Sequence, residues 1–191
     1  MGIRRHAPWI TLVALPVVIL LPFLLSPSSP LLSRSTLGSD YLSLQLPNAQ
    51  HFHEAWRSTG RFPLWQPAFF SGVPVAGNPS YLLTYPPYWM VLFLSPVLAL
   101  NLLFAIHLAW AGIGTWWFAR RALGFGPESA VLAGIAFALA PKVLAHVSGG
   151  QLGVVIALAW VPFALLGVWQ AFDSGSWLWP WLTGAALGFM V

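Results

Sequence analysis

Acidic residues are scarce in this chain, only four among 191 positions, so each one that could do chemistry can be weighed by itself. Asp40 is the first. A carboxylate at this point, about 15 residues after the first apolar run, can serve as a general base on a hydroxyl. The same residue is also a good helix N-cap, a role that Ser39 could share, and the two roles do not exclude each other. The densest polar cluster follows, with His51, His53, Glu54, Arg57 and Arg61 inside eleven positions. On a helix, His53 and Arg57 share a face. The arginines present planar forks of donors that suit the phosphate oxygens of a lipid-linked carrier. Snorkelling arginines on a solvated helix face would give the same pattern. Glu54 is the second candidate carboxylate. His51 and His53, two apart, diverge on a helix, so ligand spacing supports no metal site. Further on, Lys142, His146 and Gln151 surround a Gly149-Gly150 turn and are expected to line an outer cavity beneath the long loop, although a lysine near a span end can simply snorkel. His107 lies near the middle of an apolar run, either as a functional group or as a neutral, hydrogen-bonded packing residue.

These residues must be positioned within a membrane. The chain is 58% hydrophobic and 6% charged, with a mean hydropathy of +0.76, whereas a soluble domain carries about 25% charged residues. Several apolar runs approach the roughly 20 residues needed to cross a bilayer. The fold expected is an all-α polytopic membrane protein with four to five transmembrane helices. The first, Trp9 to Leu25, contains Pro16 and Pro22, which predict a kink. It follows Arg4 and Arg5 in signal-peptide order but lacks a small-x-small cleavage site, so it is read as a retained span. Later spans fall at about 97 to 119, 129 to 145 (interrupted by Pro141-Lys142) and 152 to 172 (containing Pro162). A short segment at 88 to 95 is divided from the first of these by Ser95-Pro96. A fifth run starts near Trp177 and stops at Val191, which implies a fragment of a longer protein. Three regions result: a first transmembrane helix (1 to 25), a loop (26 to 87) and a truncated helix bundle (88 to 191).

The loop is too long and too aromatic for a passive or disordered connector. After the helix-breaking SPSSP stretch at 26 to 30, the spacing of Leu42, Leu46, Ala49, Phe52, Ala55 and Trp56 predicts an amphipathic interfacial helix over Tyr41 to Thr59, closed by Gly60. Pro63-Leu64-Trp65 then turns the chain. From Phe69 to Pro87 the glycines and prolines predict turns, with neither helix nor strand interior.

The eight basic residues divide evenly between the two sides, but Arg4-Arg5 and Arg120-Arg121 lie hard against span ends and dominate orientation. Both doublets are therefore expected in the cytoplasm, with the long loop and the 146 to 151 turn outside. Trp56, Trp65, Trp89, Trp177 and Trp179 fall near the expected water boundaries, as in an aromatic belt. No basic stripe suits nucleic acid. Cysteine is absent, which excludes disulfides, thiolate metal sites and cysteine nucleophiles. No P-loop, dinucleotide fingerprint, HExxH or GxSxG motif is present.

The ordered string of Asp40, then GRFPLWQPAFFSGVPVAGNPSYLLTYPPYW, IHLAWAGIGTWWFARRALG, the HVSGGQ turn and ALAWVPFALL resembles the amino-terminal part of the bacterial YfhO-like membrane proteins. Those belong to the C-type glycosyltransferase superfamily. The resemblance runs from about residue 36 onward, and its more specific part is the G-x-P-x-x-x-N-P element from Gly72 to Pro79 followed by Tyr85-Pro86. It implies an enzyme of the bacterial cytoplasmic membrane that moves a sugar from a polyprenyl-phosphate carrier to an acceptor outside. In that superfamily an acid of the first outer loop is the catalytic carboxylate, and the matching position is Asp40. Asn78 and Tyr85 of the shared element are then expected at the substrate.

The resulting expectation is glycosyl transfer in which Asp40 or Glu54 supplies the carboxylate, while Arg57, Arg61, Lys142, His146 and Gln151 bind substrate. No cofactor is required, although a divalent metal would be compatible with the chemistry. The partners are a lipid-linked sugar donor, an envelope acceptor and membrane lipids. Two other classes fit the same elements. One is a transporter or lipid flippase using His107, Lys142 and His146, and the other is a non-catalytic scaffold. Polar residues concentrated in one outer loop favour the transferase, since transporters place binding groups near the midplane. Because the chain is cysteine-free, a single cysteine at Ser71 should react with a membrane-impermeant thiol reagent on intact cells. Reaction only after permeabilisation would invert the orientation.

Overall fold

The computed structural model describes residues 8–25, 38–75 and 77–189. Arg4, Arg5, Arg34 and the SPSSP stretch fall outside the described residues. Where the chain is described it is nearly all helical. α1 (Pro8–Leu25) continues through both Pro16 and Pro22. A π-helical turn, Tyr41–Gln45, leads into α2 (Leu46–Thr59), which Gly60 ends in the left-handed conformation at φ 65°. The helix anticipated from apolar spacing is present, with its first turn widened.

A small hairpin follows. β1 (Trp65–Gln66) and β2 (Val73–Pro74) pair antiparallel, Trp65 opposite Pro74 and Gln66 opposite Val73. This corrects the expectation of turns alone. The ladder is too short to display a two-residue period. Pro74 lacks a donor, a loss tolerated only at the edge of so small a sheet, and the Val75 amide reaches the Leu64 carbonyl at 2.9 Å just beyond it. At the tip, Phe70 and Ser71 both adopt positive φ, 48° and 63°. Gly72, at φ 110°, lies so close to the Trp65 indole that a Cβ there would meet the ring at 2.5 Å.

Two 3-10 turns, Pro79–Tyr81 and Pro86–Trp89, precede α3 (Met90–Phe93). Leu94 and Ser95 leave the helical region at ψ 160° and 138°, Ser95 as the residue before a proline is driven to do. Pro96 then opens α4 (Pro96–Arg121), so the Ser95-Pro96 boundary falls where expected. α4 is the central helix. It packs against α1, α5 (Pro127–Ala138) and α7 (Leu152–Ser174), and α7 also carries α8 (Leu178–Gly188). Between α5 and α6 (Pro141–Gly149) the helix breaks at Leu139 and Ala140, again just before a proline.

Among the described residues three helices are long and apolar enough to cross a membrane: α4, the broken α5–α6 unit over Pro127–Gly149, and α7. Four to five had been expected. α1 counts as a shorter apolar helix over Ile10–Leu25, and α8, at 11 residues, spans only about 16 Å at 1.5 Å per residue. The start of α1 and the start of α5 share a groove lined by Ile10, Thr11, Pro127 and Glu128. The first helix therefore begins at the end of the bundle that bears Arg120 and Arg121. The loop sits at the opposite end with the 149 to 151 turn, where the Gly38 amide donates to the Ser148 carbonyl at 3.0 Å.

The α1–α4–α5 junction depends on glycine. A Cβ on Gly134 would meet the Gly112 carbonyl oxygen at 2.7 Å and the Leu15 side chain at 3.3 Å. Gly134→Val should therefore separate α4 from α5 and cost about 1–3 kcal/mol, the usual range for overpacking. Thermal unfolding in detergent measures this, and an unchanged midpoint would show that the backbones are not in close approach.

Candidate functional site

The Gly38 to Ser148 bond and the helix that starts beside it create a cleft of about 310 Å³ at the loop end of the bundle. Asp40, Leu44 and Gln45 form one side, Pro79, Ser80 and Leu82 a second, and Gln151, Val154 and Ile156 of the α6–α7 turn and α7 a third. Phe189, just after α8, closes it. The walls are mainly apolar and Asp40 is the only charged residue among them.

Asp40 is not an N-cap in the structure. Its backbone is already helical, at φ −68° and ψ −29°, and its side chain makes no capping hydrogen bond. A capping residue holds extended dihedrals so that its side chain can fold back onto the first turn. Here the helix begins one step earlier, with the Leu42 amide donating to the Gly38 carbonyl at 3.3 Å, while the Ser43 hydroxyl donates to the Ser39 carbonyl at 2.8 Å. The half-buried carboxylate thus lies in the first turn, facing the cleft and favourably placed toward the positive helix end. The π-helical turn that follows belongs to a class of irregularity frequent at functional sites.

Anchoring is provided by Tyr41. It is fully buried, and its hydroxyl donates to Asn101 Oδ1 of α4 at 3.1 Å, with burial pushing the phenol pKa up to about 12. Gly150 sits against the Tyr41 backbone at φ 77°, leaving no room for a side chain. Across the cleft, Gln151 is bonded through Oε1 to His146 Nδ1, which acts as donor in this contact because an amide oxygen can only accept. Gln151 lines the cleft, His146 stands behind it, and Lys142 lies exposed one turn earlier on α6 without lining it.

The other candidate substrate residues are elsewhere. Arg57 follows Asp40 by seventeen helical steps, which at about 1.5 Å each places them roughly 25 Å apart. Arg57 and Arg61 are exposed near the far end of α2, so they do not join the Asp40 cleft. Glu54 is likewise exposed on α2 and does not line the cleft. His51 and His53 each contact a backbone carbonyl, that of Trp65 and that of Val91, both at 2.9 Å, and so dock α2 onto the hairpin and α3. Asn78 Oδ1 accepts from the Ser80 amide at 2.9 Å and shapes the cleft wall from outside. Among the described residues no group of three or more histidines and acids could hold a metal ion.

Tyr85 departs most from expectation, because it is buried inside the bundle and does not line the cleft. Its hydroxyl lies 2.6 Å from His107 Nε2 and receives the Trp160 indole N–H at 3.2 Å. His107 Nδ1 lies 2.6 Å from the Leu103 carbonyl, which can only accept. The hydrogen-bond pattern assigns a neutral histidine with its proton on Nδ1, accepting the Tyr85 proton at Nε2. Trp160 to Tyr85 to His107 to Leu103 is then a complete donor chain, and His107 is the hydrogen-bonded packing residue. From Tyr85 a series of rings passes through Phe189 (5.6 Å) and Trp160 to Phe163, which stacks on Trp110 at 4.4 Å and 19°. Gln45, Leu82, Trp160 and Phe189 were not singled out from sequence. Only their arrival from four separate segments marks them.

Compared with known proteins, the chain matches no family model, no curated protein and no solved structure.

Replacing Tyr85 with Phe keeps the ring but leaves the Trp160 N–H and His107 Nε2 without their shared partner. A loss of about 1–3 kcal/mol is expected, the cost of a buried polar group left unpaired. Thermal or denaturant unfolding measures it, and wild-type stability in Tyr85→Phe would mean that the hydroxyl bridges nothing.

Proposed function

We propose that the cleft is the reaction site of a membrane glycosyltransferase that moves a sugar from a polyprenyl-phosphate carrier to an acceptor hydroxyl. The observation that carries this reading is Asp40, a carboxylate not used for capping and the one charged residue lining a mainly apolar cleft at the loop end of the bundle. In the step proposed, Asp40 takes the proton of the acceptor hydroxyl as its oxygen bonds to the anomeric carbon. The bond from that carbon to the carrier phosphate breaks, and the phosphate leaves with the electron pair. Leu82, Val154, Ile156 and Phe189 suit the hydrocarbon of a carrier, and Gln151, oriented by His146, can hold a sugar hydroxyl. Arg57 and Arg61 drop out of this step on distance. No basic residue lines the cleft, so charge compensation for the departing phosphate would have to come from beyond its walls, where His146 stands behind Gln151. Positioning and electrostatics would then provide most of the acceleration.

In this reading the protein sits in the bacterial cytoplasmic membrane with the loop outward, as the resemblance to YfhO-like proteins implies. A transporter is the second reading, favoured by the broken α5–α6 unit, since discontinuous helices line transport sites. Against it, His107 lies near the middle of α4 and both its ring nitrogens are committed to internal bonds.

Asp40→Asn separates the roles. Asn retains size and hydrogen bonding but cannot accept a proton at neutral pH. The variant should fold normally and lose sugar transfer by about 10²- to 10⁴-fold, the usual share of general-base catalysis. Undiminished transfer, assayed with a polyprenyl-phosphate sugar in proteoliposomes, would remove Asp40 from the chemistry.

A further inference from the structure

At the far end of α2 a second feature is built around Trp56. Its ring centroid lies 5.4 Å from that of Phe62 and 6.1 Å from that of Phe93, and Phe62 lies 5.5 Å from Trp89. Although these rings pack on one another, Phe93 is 72% exposed and Trp89 40% exposed. Phe93 ends α3 three residues before α4 begins, and the exposed apolar side of that spanning helix starts at Leu98. The aromatic patch is thus continuous along the chain with a surface that hydrocarbon must cover. Arg57 and Arg61 are exposed beside it, against a single acid on α2, Glu54. His53, bound to the Val91 carbonyl at 2.9 Å, fastens α2 to α3 and holds the patch in shape.

Rings at a membrane boundary sit at headgroup depth, and positively charged side chains there attract anionic headgroups. We propose that Trp56, Arg57, Arg61, Phe62, Trp89 and Phe93 form a binding surface for the anionic phospholipid headgroups of the surrounding bilayer. The rings enter the interface, the two arginines hold phosphates, and the patch sets the depth at which the loop rests. This surface is distinct from the Asp40 cleft, roughly 25 Å away along the helix, and does not depend on the transfer reaction. A free polyprenyl phosphate bound at the arginines would be a ligand in the cleft's service, and the distance disfavours that role.

The absence of cysteine lets Ser58→Cys, between the two arginines, carry one fluorophore. The labelled chain is reconstituted in phosphatidylcholine vesicles containing a small fraction of quencher-headgroup lipid, either phosphatidylglycerol or phosphatidylcholine. Quenching should report a preference for phosphatidylglycerol of about fivefold for each arginine. Arg57→Gln with Arg61→Gln should bring the two lipids to parity, while Arg57→Lys with Arg61→Lys keeps the preference. The lysine pair keeps the test decisive if the glutamine pair disturbs the fold. Parity in the unsubstituted protein, a glutamine pair indistinguishable from it, or a lysine pair at parity would each overturn the proposal. A preference abolished by added polyprenyl phosphate at equimolar amounts would also overturn it in favour of the carrier.

Discussion

The contact between Gly38 and Tyr41 at the start of the loop helix and Ser148 and Gly150 at the α6–α7 turn makes one structure of two distant parts of the chain. It requires a backbone donor that is free because it precedes the first helical turn, and a partner glycine whose missing side chain admits a tyrosine backbone. Everything at the loop end follows from it. Asp40 lines a cleft beside Tyr41, which is held down on Asn101, and Gln151 lines the same cleft from the turn that accepts Gly38 and bonds His146 to Gln151. Without this closure the carboxylate would be a solvated residue at an exposed helix start.

Much of the frame was legible from residue types alone. The apolar spacing after Tyr41, the Gly60 stop, the Ser95-Pro96 boundary and the break at Pro141 all act through local sterics and hydrogen bonding, which a sequence displays directly. The wide separation of Arg57 from Asp40 was also implicit in the length of an unbroken helix. The rest depends on long-range packing. Tyr85 lies in a proline-rich stretch that reads as surface turn, yet its hydroxyl completes a polar chain between α4 and α7. Phe189 closes the cleft from the end of α8, and no local pattern near either residue announces the other. The hairpin was missed because two residue pairs carry too little period to be read. Asp40 was misread as a possible cap because a capping residue and a first-turn acid look alike until dihedrals separate them.

The interior solves a problem specific to hydrocarbon. A buried polar atom left unpaired away from water is costly. The Tyr88 hydroxyl and the Trp110 indole N–H are buried without a hydrogen-bond partner, whereas the bonding of His107 and Tyr85 to each other, to Trp160 and to the Leu103 carbonyl leaves none unpaired on either. That closure fixes how the loop's last turns enter the bundle. The helix break before Pro141 is of a different kind, since it interrupts a spanning unit and starts α6, which leads into the turn that carries Gln151 to the cleft.

The Gly38 to Ser148 latch also orders events in biosynthesis. Chains are made from the amino terminus, and the loop leaves the ribosome well before α6 and α7 exist. Asp40 therefore reaches its side of the membrane with no opposite wall to face. Tyr41 can find Asn101 once α4 is inserted, but Gly150 and Trp160 arrive later still. The part of the molecule translated early is among the last to acquire its final contacts, and the cleft comes into being only when the α6–α7 turn is delivered to the side where the loop is already waiting.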